Sequence, residues 1–371
     1  MRGGEKCLEV FCELFQQAHV YTLFHIAGSV SSVIEQMPIH TTFIQRLSRG
    51  VERYRYLLPL FPTAAEQINL NGYDLILSSS HCVAKGIIPP PDALHICYCH
   101  TPMRYVWDQY SIYFPTERMG RPMRWIVPLV ANYLRVWDVA SSHRVDHFVA
   151  NSAHVAGRIR KYYGREADVI YPPVDCDRFH LDDEKKESFY FMVTALAPYK
   201  RVDLAIEAFN RMGAPLVIIG SGQEEGILRR RAAGNITFLG WQPDNVVAEH
   251  YAKCRAFIFP GEEDFGITPV EAQAAGCPVV AFGRGGAMET VIPLDNPGQE
   301  PPTGVFFREP TADALIEAVR TFEAREDAFN ARAIRQNALR FDRSRFKQQI
   351  NQMIQSWWKQ WQEGKGDAQK V

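Results

Sequence analysis

The chain has 371 residues, too many for one ordinary hydrophobic core, so two domains are expected. An apolar fraction of 46% and a charged fraction of 22% are those of a soluble globular protein, and a formal net charge of -1 gives no bulk attraction to nucleic acid. No apolar run is long enough to span a membrane, no signal peptide opens the chain, and eight scattered cysteines without a CxxC pair point to reduced thiols in the cytosol.

The opening EKCLEVFCELFQQ has helical periodicity, gathering Cys7, Leu8, Val10, Phe11, Leu14 and Phe15 on one side. Strand-like runs follow: VYTLFHI (20–26), YDLILSSS (73–80), ALHICYC (93–99) and VDHFVANS (145–152). Helical stretches between several of them predict an α/β domain with a mostly parallel sheet. Such a domain normally opens on a central strand. Here a helix starts almost at Met1, so either the sheet is built differently or a first strand is missing, as from a late start codon or a fragment. Residues 118–137, RMGRPMRWIVPLVANYLRVW, mix arginines with Trp125, Tyr133 and Trp137. They read either as a half-buried helix or as a face lying on an anionic membrane surface.

After VIYPPVDCDRF (169–179), the charged stretch LDDEKKES (181–188) is the linker candidate. The alternation restarts with FYFMVTALA (189–197) and the helix VDLAIEAFNRM. The strands PLVIIG, ITFLG, AFIFP, PVVAF and GVFF and the helix TADALIEAVRTF follow, giving a second doubly wound domain. A Trp-rich helix, SRFKQQINQMIQSWWKQWQ, closes the chain. The expected domains are 1–180 and 181–340, with 341–371 packing back on the first or lying on a surface.

Residues 261–277, GEEDFGITPVEAQAAGC, place Glu263 and Glu271 across a loop running from the strand AFIFP into a short helix. Thr268-Pro269-Val270-Glu271 predicts a helix start with Thr268 as N-cap. Glu271 then has two readings. One is a capping-box partner. The other is a ligand-binding carboxylate, because βα loops at the carboxyl end of a parallel sheet are where such folds bind ligands. The helix start suits a phosphate, and carboxylates accept well from paired hydroxyls. Lys200, between a strand end and a helix, reads either as a solvated surface lysine or as a cation that can reach a phosphate from the same sheet edge. Gly220-Ser221-Gly222 lacks GxGxxG spacing, which disfavours a nicotinamide enzyme. Gly283-Arg284-Gly285-Gly286 would let backbone approach a ligand closely.

EEDFGITPVEAQAAGCPVVA resembles the Glu-x7-Glu signature of retaining glycosyltransferases with the GT-B fold, family 4. LAPYKRVDLAIEAFN, IGSGQEEGILR, NITFLGW, GGAMETVI and TGVFF stand in that family's order, and ANSAHVAGRIRKYYG with VIYPPVDCDRF resembles its domain junction. SSSHCVAKGIIPPP and CYCHTPMRYVWD resemble a subgroup of bacterial surface-polysaccharide mannosyltransferases.

The resemblance implies two Rossmann-like domains facing a cleft, the C-terminal one for the nucleotide-sugar and the N-terminal one for the acceptor. It implies that Glu271 binds ribose hydroxyls and Glu263 the donor sugar. Phe265, Gly266, Ile267, Thr268 and Lys200 would hold the diphosphate, with Leu239 and Trp241 at the base. His100 would approach the donor sugar, and Gly3 and Gly4 would line the diphosphate side of the first domain. The implied reaction moves a hexose, mannose from GDP-mannose by subgroup resemblance, to a glycan or lipid-linked acceptor at the inner membrane face. It proceeds with retention and without a metal, the acceptor hydroxyl attacking on the face the nucleotide leaves. Asp175-Cys176-Asp177 mimics a DxD metal motif but sits in a turn and reads as structural.

Two departures stand out. Ala195 occupies a position where many members carry a phosphate-clamp arginine, leaving Arg201 as the candidate replacement, and the expected first strand of the N-terminal domain is absent. They support a competing reading as a non-catalytic nucleotide-sugar-binding or scaffolding subunit. A GT-B epimerase or phosphorylase fits the whole set of motifs less well.

Overall fold

The computed structural model describes residues 3–47, 51–115, 119–181, 186–296, 298 and 300–368. Its strands are β1 (Val20–Thr22), β2 (Ile39–Thr41), β3 (Leu75–Ser80), β4 (Leu94–Cys99), β5 (His147–Ala150), β6 (Asp168–Val169), β7 (Tyr190–Val193), β8 (Leu216–Ile219), β9 (Ile236–Gly240), β10 (Ala256–Phe259), β11 (Val279–Phe282) and β12 (Gly304–Phe307). The longer α-helices are α1 (Gly3–Leu14), α2 (Arg121–Ser142), α3 (Ala153–Tyr163), α4 (Val202–Met212), α5 (Asp244–Lys253), α6 (Ile267–Ala274), α7 (Ala312–Ala324), α8 (Ala331–Ala338) and α9 (Arg343–Ala368). Among the described residues, no helix is long and apolar enough to cross a membrane.

The chain divides into two compact units, Met1–Pro173 with Phe346–Val371, and Val174–Arg345. The divisions fall at 173/174 and 345/346 rather than at 180/181 and 340/341. Of the expected linker, residues 182–185 lie outside the described residues.

The first unit carries two separate parallel sheets, β1-β2 and β3-β4-β5-β6. Among the described residues β1 pairs only with β2, and β3 only with β4. The chain therefore opens on a helix beside a divided sheet. Every residue of β4 is buried, which explains a run that is apolar but for His95, whose ring nitrogens meet Ser78 Oγ and the Arg144 carbonyl. One layer over this sheet comes from α1 and α9. Cys7, Val10 and Phe11 of α1 meet Phe346, Ile350 and Ile354 of α9 over Leu94, Ile96 and Tyr98. The spacing of four residues in α9 keeps those three side chains on one face. His147 stacks on Trp357 at 4.3 Å.

α2 and α3 pack elsewhere in the unit, and Lys85 ties them together. Its Nζ lies 2.7 Å from Asp138 Oδ1 and donates to Ser141 Oγ at 2.8 Å. Trp107 Nε1 and the Tyr163 hydroxyl donate to Asp138 Oδ2 at 2.8 and 2.9 Å. Both charges are fully buried; Asp138 Oδ2 accepts two hydrogen bonds, while Oδ1 is met by the Lys85 charge alone. α2 is half-buried, as one reading of residues 118–137 expects: it covers Val127, Ala131 and Leu134 and exposes Trp125 and Leu129. Residue 118 lies outside the described residues.

The second unit has one six-stranded parallel sheet in the order β12-β11-β10-β7-β8-β9. β7, β8, β10 and β11 supply its buried centre. Counted from β7, this is the doubly wound order, with winding reversed between β7 and β10.

Candidate active site

The reversal between β7 and β10 separates two loops at the carboxyl ends of the strands, where doubly wound sheets bind ligands. The loop after β7 carries Lys200, and the loop after β10 carries Glu263. A small cavity between them is lined by Thr194, Lys200, Phe259, Gly261 and Glu263. Lys200 Nζ lies 2.5 Å from Glu263 Oε1, and the two side chains keep 17% and 20% of their surface exposed. The pair is reachable from solvent, unlike Lys85–Asp138.

Glu263 is fixed through its backbone. Its carbonyl accepts from the Gly286 amide at 2.9 Å. A Cβ on Gly286 would fall 2.2 Å from Phe265 Cα, so only glycine permits this approach. The sequence suggested that the 283–286 glycines admit a ligand. They admit the neighbouring loop and hold Glu263 in place.

α6 begins at Ile267, with Gly266 as its cap at φ 84° and no side-chain capping bond. This corrects the expectation of Thr268 as N-cap. Thr268 is the second helical residue and Pro269 the third, because the left-handed glycine turns the chain into the helix earlier. A capping box needs a side chain at the cap, so that reading of Glu271 falls. Glu271 lies further into α6, where its Oε2 accepts from the Tyr251 hydroxyl at 3.3 Å. Burial pushes the Tyr251 hydroxyl well above its ordinary pKa and keeps it a donor. The first-turn amides of α6, at Ile267 and Thr268, belong to the end of a helix that lacks intrahelical acceptors. Phe265 is buried edge-on against Phe341, their ring centroids 5.5 Å apart.

Leu239 and Trp241 lie at the carboxyl end of β9, two strands from β7 on the same sheet edge. Trp241 is 75% exposed, and the Leu239 carbonyl accepts from Gln242 Nε2 at 2.8 Å. Arg201 does not join Lys200. Its Nε sits 3.2 Å from Asp203 Oδ1, and its φ of 53° is left-handed, the only such value at a non-glycine among the described residues. Asp175-Cys176-Asp177 falls at a turn of 3-10 helix, with Arg178 paired to Asp244. Among the described residues, no group of three or more His, Cys, Asp or Glu could hold a metal ion.

In the first unit, His100 follows β4, and Gly3 and Gly4 form the first turn of α1. His100 Nε2 is 2.8 Å from Ser79 Oγ, and a Cβ on Gly4 would lie 3.4 Å from that nitrogen. The structure thus brings Gly4 to His100. Desolvation, with a lesser push from His81, lowers the His100 pKa to about 3, so the imidazole is neutral at physiological pH.

Tyr251 and Ser79 were not singled out from the sequence. Tyr251 sits in a helix with no motif around it, and Ser79 is one of three consecutive serines.

Two family models cover most of the chain. The model of the "Glycosyltransferase Family 4" family matches residues 1–178, and that of "Glycosyl transferases group 1" matches residues 175–340. A GDP-mannose-dependent alpha-(1-6)-phosphatidylinositol monomannoside mannosyltransferase of Mycobacterium tuberculosis is 28% identical over 232 residues, 54% of this chain and 57% of its own. The O-antigen chain mannosyltransferase C of Escherichia coli is 26% identical over 158 residues, 41% of each chain. The chain spans about half the length of the curated relatives it matches. Among solved structures, Anabaena HepE in complex with UDP and glucose matches at a TM-score of 0.65 and 19% identity, over 96% of both chains. Sucrose-phosphate synthase of Thermosynechococcus elongatus matches at 0.70 and 16%, over 95% of this chain and 92% of its own.

Proposed function

Because this chain belongs to the family 4 glycosyltransferases of the GT-B fold, we propose that it transfers a hexose from a nucleotide-sugar donor to a glycan or lipid-linked acceptor. The observation that carries the reading is the Lys200–Glu263 pair at the strand reversal between β7 and β10. A cation and a hydroxyl acceptor meet there, at the position where a diphosphate and its sugar would lie. The second unit is the donor unit and the first the acceptor unit. Glu263 takes the sugar hydroxyls and Glu271, set by Tyr251, the ribose. Lys200 and the backbone amides of the loop and helix start at Phe265–Thr268 take the diphosphate, and Leu239 and Trp241 the base. His100, a neutral ring, takes a sugar hydroxyl, with Gly3 and Gly4 beside the diphosphate.

The protein's contribution is to place the reactants and stabilise the departing diphosphate. Lys200 and the helix amides supply that positive charge, so the transfer is metal-independent. The acceptor hydroxyl attacks the anomeric carbon on the face the diphosphate leaves. A diphosphate oxygen takes its proton, and the configuration is retained. Arg201 adds to this charge only by releasing Asp203. The mannosyltransferase relatives favour mannose and GDP-mannose, and surface polysaccharide synthesis at the cytoplasmic membrane face as the setting.

The test is release of sugar from GDP-mannose and UDP-glucose, with and without a glycan acceptor and with EDTA. The reading expects acceptor-dependent release from one donor, unaffected by EDTA. A donor that binds and raises the melting temperature but is never consumed would favour a non-catalytic binding subunit. Ala195 and the turned Arg201 are the observations on that side.

A further inference from the structure

α2 is 22 residues long and sits on the first unit with only one face covered. Its outer face carries Pro122, Trp125, Leu129, Tyr133, Val136 and Ala140, all exposed and spaced by three or four residues. That spacing gathers them into one stripe along about 27 Å of helix. Trp125 is 81% exposed and Leu129 72%, with Met123 and Ile126 exposed beside them. Single exposed apolar residues are ordinary on a protein surface, but a continuous stripe of this size marks a contact surface. Arg121 and Arg124 are also exposed and flank the aromatic end of the stripe. The one carboxylate of α2, Asp138, is buried against Lys85, so the helix presents cations and no exposed anion.

We propose that the outer face of α2 lies in the interface of an anionic lipid bilayer. Trp125, Ile126 and Leu129 enter the headgroup–acyl boundary, while Arg121 and Arg124 meet lipid phosphates. A second copy of the same face would bring its own arginines and no countercharge, so the charge pattern favours lipid over self-association. This deepens the lipid-linked acceptor reading above, since it would hold the first unit at the surface where such an acceptor resides. The surface itself does not depend on the chemistry of transfer.

The experiment is co-sedimentation of the full chain with vesicles of phosphatidylcholine alone, and of phosphatidylcholine with about one third phosphatidylglycerol. The chain is expected to pellet with the anionic vesicles and to be released by salt. Trp125→Ser/Ile126→Ser/Leu129→Ser should weaken binding at least about tenfold, because each side chain loses its apolar burial in the interface. R121Q/R124Q should weaken it about fivefold per arginine and flatten the salt dependence. Unchanged melting temperatures would show that both variants fold, as expected for exposed positions. Equal pelleting of parent and triple variant overturns the proposal. So does a lipid-free dimer in sedimentation velocity that the same substitutions abolish. Sugar transfer to a water-soluble acceptor, measured on the same proteins, separates the two readings. Vesicle binding without transfer sinks the activity, and transfer without vesicle binding sinks the surface.

Discussion

Of the lysine–carboxylate pairs in this molecule, Lys85–Asp138 in the first unit and Lys200–Glu263 in the second are set apart by their surroundings. Lys85–Asp138 is fully buried, and Ser141, Trp107 and Tyr163 hydrogen-bond to it from within the fold. Lys200–Glu263 borders a cavity at the end of a parallel sheet and keeps part of its surface open. A pair enclosed on every side by the fold has no face to offer a ligand. A pair left open on one side can exchange its partner for a phosphate or a hydroxyl. Ion-pair chemistry alone does not mark function. Its completion from within the fold, or the lack of it, does.

The sharpest way to break this comparison is to cut each pair once. Lys85→Met should cost about 3–5 kcal/mol of stability, because it strands the Asp138 carboxylate in a site without water. Chemical unfolding measures it. K85M/D138L should recover much of the loss, since an apolar pair of similar volume removes the stranded charge. A small effect of K85M alone would sink the structural role assigned to the pair.

Lys200→Ala should do the reverse. Losing one preorganised cation at a departing diphosphate lowers turnover by about 10²–10³. Stability should move by less than about 1 kcal/mol, because a partly exposed pair contributes little to folding. Turnover within threefold of the parent would remove Lys200 from the chemistry and leave the comparison without its functional arm.

Much of this was legible in the sequence, for a physical reason. Parallel strands covered on both faces must be continuously apolar, so runs such as ALHICYC and AFIFP announce themselves. Glu263 and Lys200 were legible because strand-to-helix loops of such sheets open on one edge. What stayed hidden depends on contacts distant in sequence. The cap of α6 was placed at Thr268 because Thr-Pro is a good helix start, whereas a left-handed Gly266 had already begun it. The tight contacts of Gly285 with Glu263 and of Gly286 with Phe265 join two separate loops and left no local signal. The divided sheet of the first unit left no local signal beyond a chain that opens on a helix. Lys85 drew no notice as the anchor of α2, because its partner lies 53 positions away.

Arg201 supplies the smallest and most discriminating test. Its left-handed backbone is a conformation a side chain disfavours, so glycine should fit it better. Arg201→Gly should therefore raise stability by up to about 1 kcal/mol, or a few degrees in melting temperature, less whatever the exposed Asp203 pair contributes. Turnover decides the rest. If Asp203 keeps the guanidinium throughout the reaction, the rate stays within about threefold of the parent and Lys200 carries the leaving charge with the helix amides. If instead Arg201 releases Asp203 and swings to the diphosphate, the glycine variant is more stable and slower by about 10². In that case the strained backbone is retained for function, and the position left as Ala195 is compensated one residue beyond Lys200.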